Sequence, residues 1–216
     1  MEKIQTKDGS YTFYNEKYGD IYHSKSGARE EAFEKFAKPA LIQFMQIPPR
    51  KISILDICFG LGYNSCAAID FAARHFPDTE LKIIGLENDP EILEEIKNIK
   101  PGFQHYDKIK AATENEYNAE LLKIKIIRGN ASETIMQAQP ADIVFHDPFS
   151  PKKHPELWTL EFFTKVYEKL VQGGMLLTYS CAKKIRENLE QAGFKVEDGP
   201  IVGRVAPSTI AYKLKN

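Results

Sequence analysis

Three short stretches of this 216-residue sequence gather the residues that could do chemistry. The first is Ile54-Leu-Asp56-Ile-Cys-Phe59-Gly60-Leu-Gly62-Tyr-Asn64. A hydrophobic run passes into Gly-x-Gly and then into a helix-like segment. Glycine there lets the backbone turn tightly and approach a ligand where a Cβ would intrude. The second is Ile84-Gly-Leu-Glu87-Asn-Asp89, where Glu87 closes the next apolar run and can accept both hydroxyls of a ribose. A dinucleotide and S-adenosylmethionine both suit this layout, and so does an ordinary tight turn without a ligand. A dinucleotide loop wants a third glycine, Gly-x-Gly-x-x-Gly, but Ser65 occupies that position and no second nucleotide-binding half follows. Asp56 would repel a pyrophosphate, whereas it suits the cationic amino-acid end of S-adenosylmethionine. The favoured cofactor is therefore S-adenosylmethionine, held by Asp56, Phe59, Gly60, Gly62, Asn64 and Glu87.

The third stretch runs from Ala141-Asp-Ile-Val-Phe145-His146-Asp147 through Pro148-Phe149-Ser-Pro151-Lys152-Lys153-His154-Pro155 to Trp158. Asp147 ends a buried-strand pattern, at the edge where open α/β sheets place ligands. Pro148 biases it away from helical geometry. Pro151 and Pro155 stiffen the loop, so Phe149 can be presented for stacking at low entropic cost. The competing readings are a capping role for Asp147 and core roles for Phe149 and Trp158. Strand alternation turns His146 away from Asp147, as a packing residue. Asn130-Ala131, after the run ending at Arg128, can reach an adenine, cap a helix starting near Ser132, or do both. A sulfonium methyl is already activated, so catalysis is mainly placement. Asp147 is the candidate catalytic residue, accepting a hydrogen bond from a neutral amine and also bordering the cofactor.

These positions need a scaffold. Apolar, β-branched runs at 52–58, 81–86, 124–127, 141–145 and 175–179 alternate with helical patterns, which predicts a parallel sheet covered on both faces. Asp89-Pro90 reads as an N-cap with proline at the first helical position. Residues 194–196 and 209–214 predict a closing antiparallel edge. The expected fold is a Rossmann-like α/β domain with a mostly parallel seven-stranded sheet and an antiparallel final strand. One domain spans 1–216: an extension over 1–50, with strands at 11–14 and 18–22 and a helix from Ala28 interrupted at Pro39, then a core over 51–216. The segment 101–120 reads as a partly helical insertion.

Composition narrows the function. A net charge of −1 excludes nucleic-acid binding by bulk positive charge alone. Three cysteines without paired spacing and histidines without ligand spacing predict no metal and reduced thiols. No apolar leader or membrane-length run is present, so a cytoplasmic protein without membrane association is expected.

At these residues the chain resembles the methyltransferase part of the bacterial bifunctional enzyme family that makes 5-methylaminomethyl-2-thiouridine in tRNA. The family pattern D-G-F-A-P-x-x-N-P-x-x-W corresponds to Asp147-Pro-Phe149-Ser-Pro151-Lys-Lys-His154-Pro155-Glu-Leu-Trp158, and E-L-G-F-G-T-G-x-N to Asp56 through Asn64. Asp8-Gly-Ser10, Asp20-Ile-Tyr22-His-Ser24 and Gly27-Ala-Arg-Glu-Glu31 match its leading segment. The resemblance implies S-adenosylmethionine-dependent methylation of the exocyclic amine of 5-aminomethyl-(2-thio)uridine at the tRNA wobble position. It also implies cofactor contacts from Tyr22 and Ser24, and an acceptor site with Phe149, Lys152 and Lys153, the lysines facing tRNA phosphates. Lys183-Lys184 and Arg186 form a second basic cluster. The sequence departs from the pattern at Pro148 (glycine), His154 (asparagine) and Asn130 (often aspartate), and Gly203-Arg204-Val-Ala-Pro207 only loosely matches its basic closing stretch. It carries no counterpart of the flavin oxidase half, so no flavin is expected and separate enzymes would supply upstream modification. The alternatives are a methyltransferase of small amines, an aminopropyl transferase, a noncatalytic S-adenosylmethionine- or RNA-binding module and a nicotinamide oxidoreductase.

Overall fold

The computed structural model describes residues 1–203 and 205–215; Arg204 of the basic closing stretch lies outside the described residues. The leading segment forms a small antiparallel sheet of β1 (Glu2–Gln5), β2 (Tyr11–Asn15) and β3 (Asp20–Ile21). The sequence reading anticipated neither β1 nor the turn placement of Tyr18. A continuous helical rod follows: α1 (Ala28–Glu31), a π segment (Ala32–Ala37), α2 (Lys38–Leu41) and a short 3-10 turn. Pro39 does not break it. The π segment, in which Lys38 N–H bonds Phe33 C=O five residues back, shifts the hydrogen-bond register just where proline would remove a donor.

The core then alternates as predicted: β4 (Lys51–Ile57), α3 (Tyr63–His75), β5 (Glu80–Glu87), α4 (Pro90–Lys97), α5 (Tyr106–Glu114), β6 (Tyr117–Asn118), β7 (Leu122–Arg128), α6 (Ala131–Thr134), β8 (Ala141–His146), α7 (Leu160–Lys169), β9 (Leu170–Thr178), α8 (Lys183–Gln191), β10 (Lys195–Asp198) and β11 (Thr209–Tyr212). The sheet order is β10-β11-β9-β8-β4-β5-β7-β6. β11 is antiparallel to both its neighbours, while β4, β5, β7, β8 and β9 pair in parallel. The seven expected strands are all present. The eighth, β6, is a two-residue edge strand contributed by the 101–120 insertion.

Each face of the sheet buries its own apolar layer. Ile52, Ile54 and Ile83 pack with Ala67 and Ala68 of α3 and Phe36 of the π segment. Leu55, Ile57 and Val144 pack with Phe162, Phe163 and Leu189 of α7 and α8. Asp89 caps α4 by accepting from Glu91 N–H (2.9 Å). Its other oxygen accepts from Tyr22 Oη (2.6 Å) and Asn15 Nδ2 (2.8 Å), tying the leading segment to the core.

Candidate active site

Strand register assembles the site. Ile57 is paired with Leu86 on one side and His146 on the other, so the next residues, Cys58, Glu87 and Asp147, emerge side by side at the carboxyl edge. All three line a cavity of about 300 Å³. Gly60, Tyr22, Ser24 and Phe149 share its wall, as do five residues the sequence reading did not assign to the site: Tyr18, His23, Glu31, His154 and Tyr179.

The other expected contacts lie away from that wall, each for a local reason. Strand alternation turns Asp56 toward α3, where Ser65 Oγ donates to its Oδ2 (2.6 Å), and its Oδ1 is buried without a hydrogen-bond partner. Phe59 is a buried wedge beneath the glycine loop: a Cβ on Gly85 would lie 2.4 Å, and one on Gly62 2.7 Å, from its ring. Gly62 itself takes φ +70 at the N-terminus of α3. Asn64 Nδ2 donates to Asp147 Oδ2 (2.9 Å), so it orients the candidate catalytic carboxylate. Asn130 caps α6, its Oδ1 accepting from Ser132 N–H (3.0 Å), and buried Ala131 begins that helix. Lys152 and Lys153 are exposed outside the cavity, with Lys153 Nζ 3.5 Å from Gly19 O. Lys183 and Lys184 are exposed, whereas Arg186 is committed to Asp198 (2.6 Å) and Thr209 (3.1 Å).

Glu87 is cradled by three backbone N–H groups, from Gly60 (2.7 Å), Asn88 (2.9 Å) and Asp89 (2.8 Å). A carboxylate offers about four lone-pair sites. The three N–H groups take most of these, and what remains faces the cavity. Burial pushes the Glu87 pKa up to about 7 despite those donors. Burial likewise raises Asp56 to about 8, with Asp147 and Glu87 adding repulsion. Asp147 is raised to about 7 by burial and by Glu31, while Asn64 and Lys35 pull it down. Lys35 is ion-paired with Glu31. Of these three only Glu87 and Asp147 border the cavity, and two carboxyl groups at its edge favour a cation and disfavour a pyrophosphate. The glycine loop leaves room for it: a Cβ on Gly60, at φ +54, would come within 3.3 Å of the Tyr22 ring.

The acceptor side is aromatic. Phe149 stacks on Tyr18 (4.7 Å between ring centres, 29°) and tilts against Tyr22 (5.0 Å, 57°). Trp158 is a core residue that also fixes this loop, its Nε1 donating to Phe149 O (2.9 Å). His146 is wholly buried, bonded through Nε2 to Leu157 O (2.9 Å) and held uncharged, its pKa lowered by burial to about 3. It is the packing histidine that strand alternation predicts.

A family model described as S-adenosyl-L-methionine-dependent methyltransferase matches residues 93–214, more than half of the chain. The chain belongs to that family. It is 34% identical to MNMC2 from Aquifex aeolicus, whose crystal structure superposes with a TM-score of 0.89 over 100% of this chain and 71% of that one. It is 33% identical to an uncharacterised protein of Methanocaldococcus jannaschii over 99% of this chain. It is 27% identical, over 83% of its length, to the tRNA 5-methylaminomethyl-2-thiouridine biosynthesis bifunctional protein MnmC of Ectopseudomonas mendocina. The chain spans 60% of the archaeal relative and 30% of the bifunctional one. The chain is thus an S-adenosylmethionine-dependent methyltransferase related to the methyltransferase part of that enzyme family. No helix among the described residues is long and apolar enough to cross a membrane, and no group of three or more His, Cys, Asp or Glu among them is placed to hold a metal ion.

Proposed function

We propose that the chain methylates the exocyclic amine of 5-aminomethyl-(2-thio)uridine at the wobble position of tRNA. The observation that carries this reading is the shared cavity, in which a glycine loop, Glu87 and Asp147 stand at neighbouring strand ends. S-adenosylmethionine, when bound, supplies a methyl group on a cationic sulfur, already activated toward an amine.

The chain's own residues do the rest. Gly60 provides close backbone approach, Glu87 takes a ribose hydroxyl, and Asp56 steadies the loop from beneath through its hydrogen bond with Ser65. Asn64 serves by orienting Asp147. Tyr22 and Ser24 belong to the 1–50 extension, which we read as closing over the cofactor held by the 51–216 core within one domain. Asp147, as a carboxylate, accepts a hydrogen bond from the neutral amine. That orients the lone pair and stabilises the positive charge that builds on nitrogen. Phe149 belongs to the wall against which a flat acceptor packs. The exposed Lys152, Lys153, Lys183 and Lys184 supply cations for tRNA phosphates. The name of the bifunctional relative supports a tRNA acceptor. The aminomethyl group would be installed by separate enzymes acting earlier, in the cytoplasm with the tRNA.

Incubating the chain with labelled S-adenosylmethionine and tRNA bearing 5-aminomethyl-2-thiouridine, then analysing nucleosides by mass spectrometry, tests the reading. A label on the wobble nucleoside is expected. Label absent from tRNA but present on small amines would replace this acceptor with a small molecule.

A further inference from the structure

His154 is the polar group at the acceptor side that nothing above employs. It is 4% exposed and lines the cavity, and neither ring nitrogen has a hydrogen-bond partner. Glu156 Oε1 lies 3.3 Å from Nε2, off the line a hydrogen bond needs, and the Tyr18 ring is 5.1 Å away. A buried imidazole with both nitrogens unpaired is costly unless something completes it. Its backbone is fixed, its N–H donating to Ser150 O (2.9 Å), so the ring is presented from a rigid turn between Pro151 and Pro155.

Burial keeps this imidazole neutral, lowering its pKa from the ordinary 6.5. A neutral ring has one donor and one acceptor nitrogen. The carboxylate of Glu156 beside Nε2 favours the tautomer with the proton on that atom, which leaves Nδ1 as an acceptor. The complementary ligand therefore brings an N–H donor on a flat edge. The ring edge of a pyrimidinedione has one such donor, the imide N3–H.

We propose that His154 is a specificity-determining residue that reads the imide edge of the acceptor uracil ring by accepting a hydrogen bond from N3–H. This rests on the nucleoside reading given above and extends it to a named contact. His154 touches the ring and not the reacting amine, so its role is selection and positioning, separate from that of Asp147.

The test uses the full chain, S-adenosylmethionine and two anticodon stem-loop RNAs, one with 5-aminomethyluridine at the wobble position and one with the same nucleoside methylated at N3. The wild type should prefer the unblocked RNA in kcat/KM by about tenfold, the worth of one such hydrogen bond. His154→Phe keeps a flat ring but removes both nitrogens, and should narrow that preference to less than twofold. A calorimetric S-adenosylmethionine affinity within twofold of wild type certifies its fold, and His154→Ala takes its place if it does not fold. A residue that merely packs would lower activity on both RNAs equally and leave the ratio intact, which would overturn the proposal. Wild-type turnover on neither RNA would overturn the nucleoside reading and this contact with it, whereas turnover with an unchanged ratio in the variant overturns the contact alone.

Discussion

Replacing Asp147 with asparagine should stabilise the unliganded protein, and by an amount that grows with pH. The unfolded chain releases this proton near the ordinary 3.8, whereas the folded chain holds it until about 7. Between those values the unfolded state binds fewer protons, so the contribution of Asp147 to stability falls as pH rises and is lowest above pH 7. At 1.36 kcal/mol per pKa unit, the penalty reaches roughly 4 kcal/mol. That figure is a ceiling, because Asp147 borders a cavity that admits water. An asparagine does not ionise, and its side-chain oxygen can still accept from Asn64 Nδ2, now 2.9 Å from the carboxylate. Urea unfolding without cofactor at pH 4, 6 and 8 measures the effect. The variant should match the wild type at pH 4 and exceed it by up to about 4 kcal/mol at pH 8, while losing methyl transfer. A stability difference that stays constant with pH would refute the reasoning, since only ionisation of a buried carboxyl makes it vary.

Three further outcomes follow from the same geometry. The hydrogen bond from Asn64 lowers the Asp147 pKa, so Asn64→Ala should move the rising limb of the pH–rate profile to more alkaline pH, and an acid shift would contradict the assignment. Gly85→Ala drives a Cβ to 2.4 Å from Phe59, and should cost about 1–3 kcal/mol in denaturant unfolding; an unchanged midpoint would mean that the wedge is loose. Cys58 holds φ +63 at the cavity edge, a conformation hardest on β-branched residues. Cys58→Val should therefore lose more than about 1 kcal/mol while Cys58→Gly stays close to wild type, and equal stabilities would remove the strain argument.

The scaffold was legible because its signals are local. Asp89-Pro90 and the apolar runs each announce an element without help from the rest of the chain. Pairing of β4 with its two neighbours then fixes Cys58, Glu87 and Asp147 at one level, as strand-end carboxylates implied. The roles of individual loop residues were harder to read. Asn130 was read as an adenine contact, a helix cap or both, and the structure shows the cap: its oxygen accepts from a backbone N–H two residues on. Phe59 follows a strand end, yet the nearby Gly62 and the distant Gly85 leave the hole it fills, and no spacing in the sequence couples 59 to 85. Tyr18, His23 and Glu31 reach the cavity from a segment whose strand β3 has two residues, too short to show a period. The carboxylates show the same limit in energetic form. Asp56, Glu87 and Asp147 are 31 and 60 residues apart along the chain, and each alone reads as an ordinary acid. Only the sheet brings them to one edge, where burial lifts all three toward neutrality and Asp147 and Glu87 add repulsion at Asp56. Their shared rise in pKa is thus a property of strand order, and a sequence states it only through the fold.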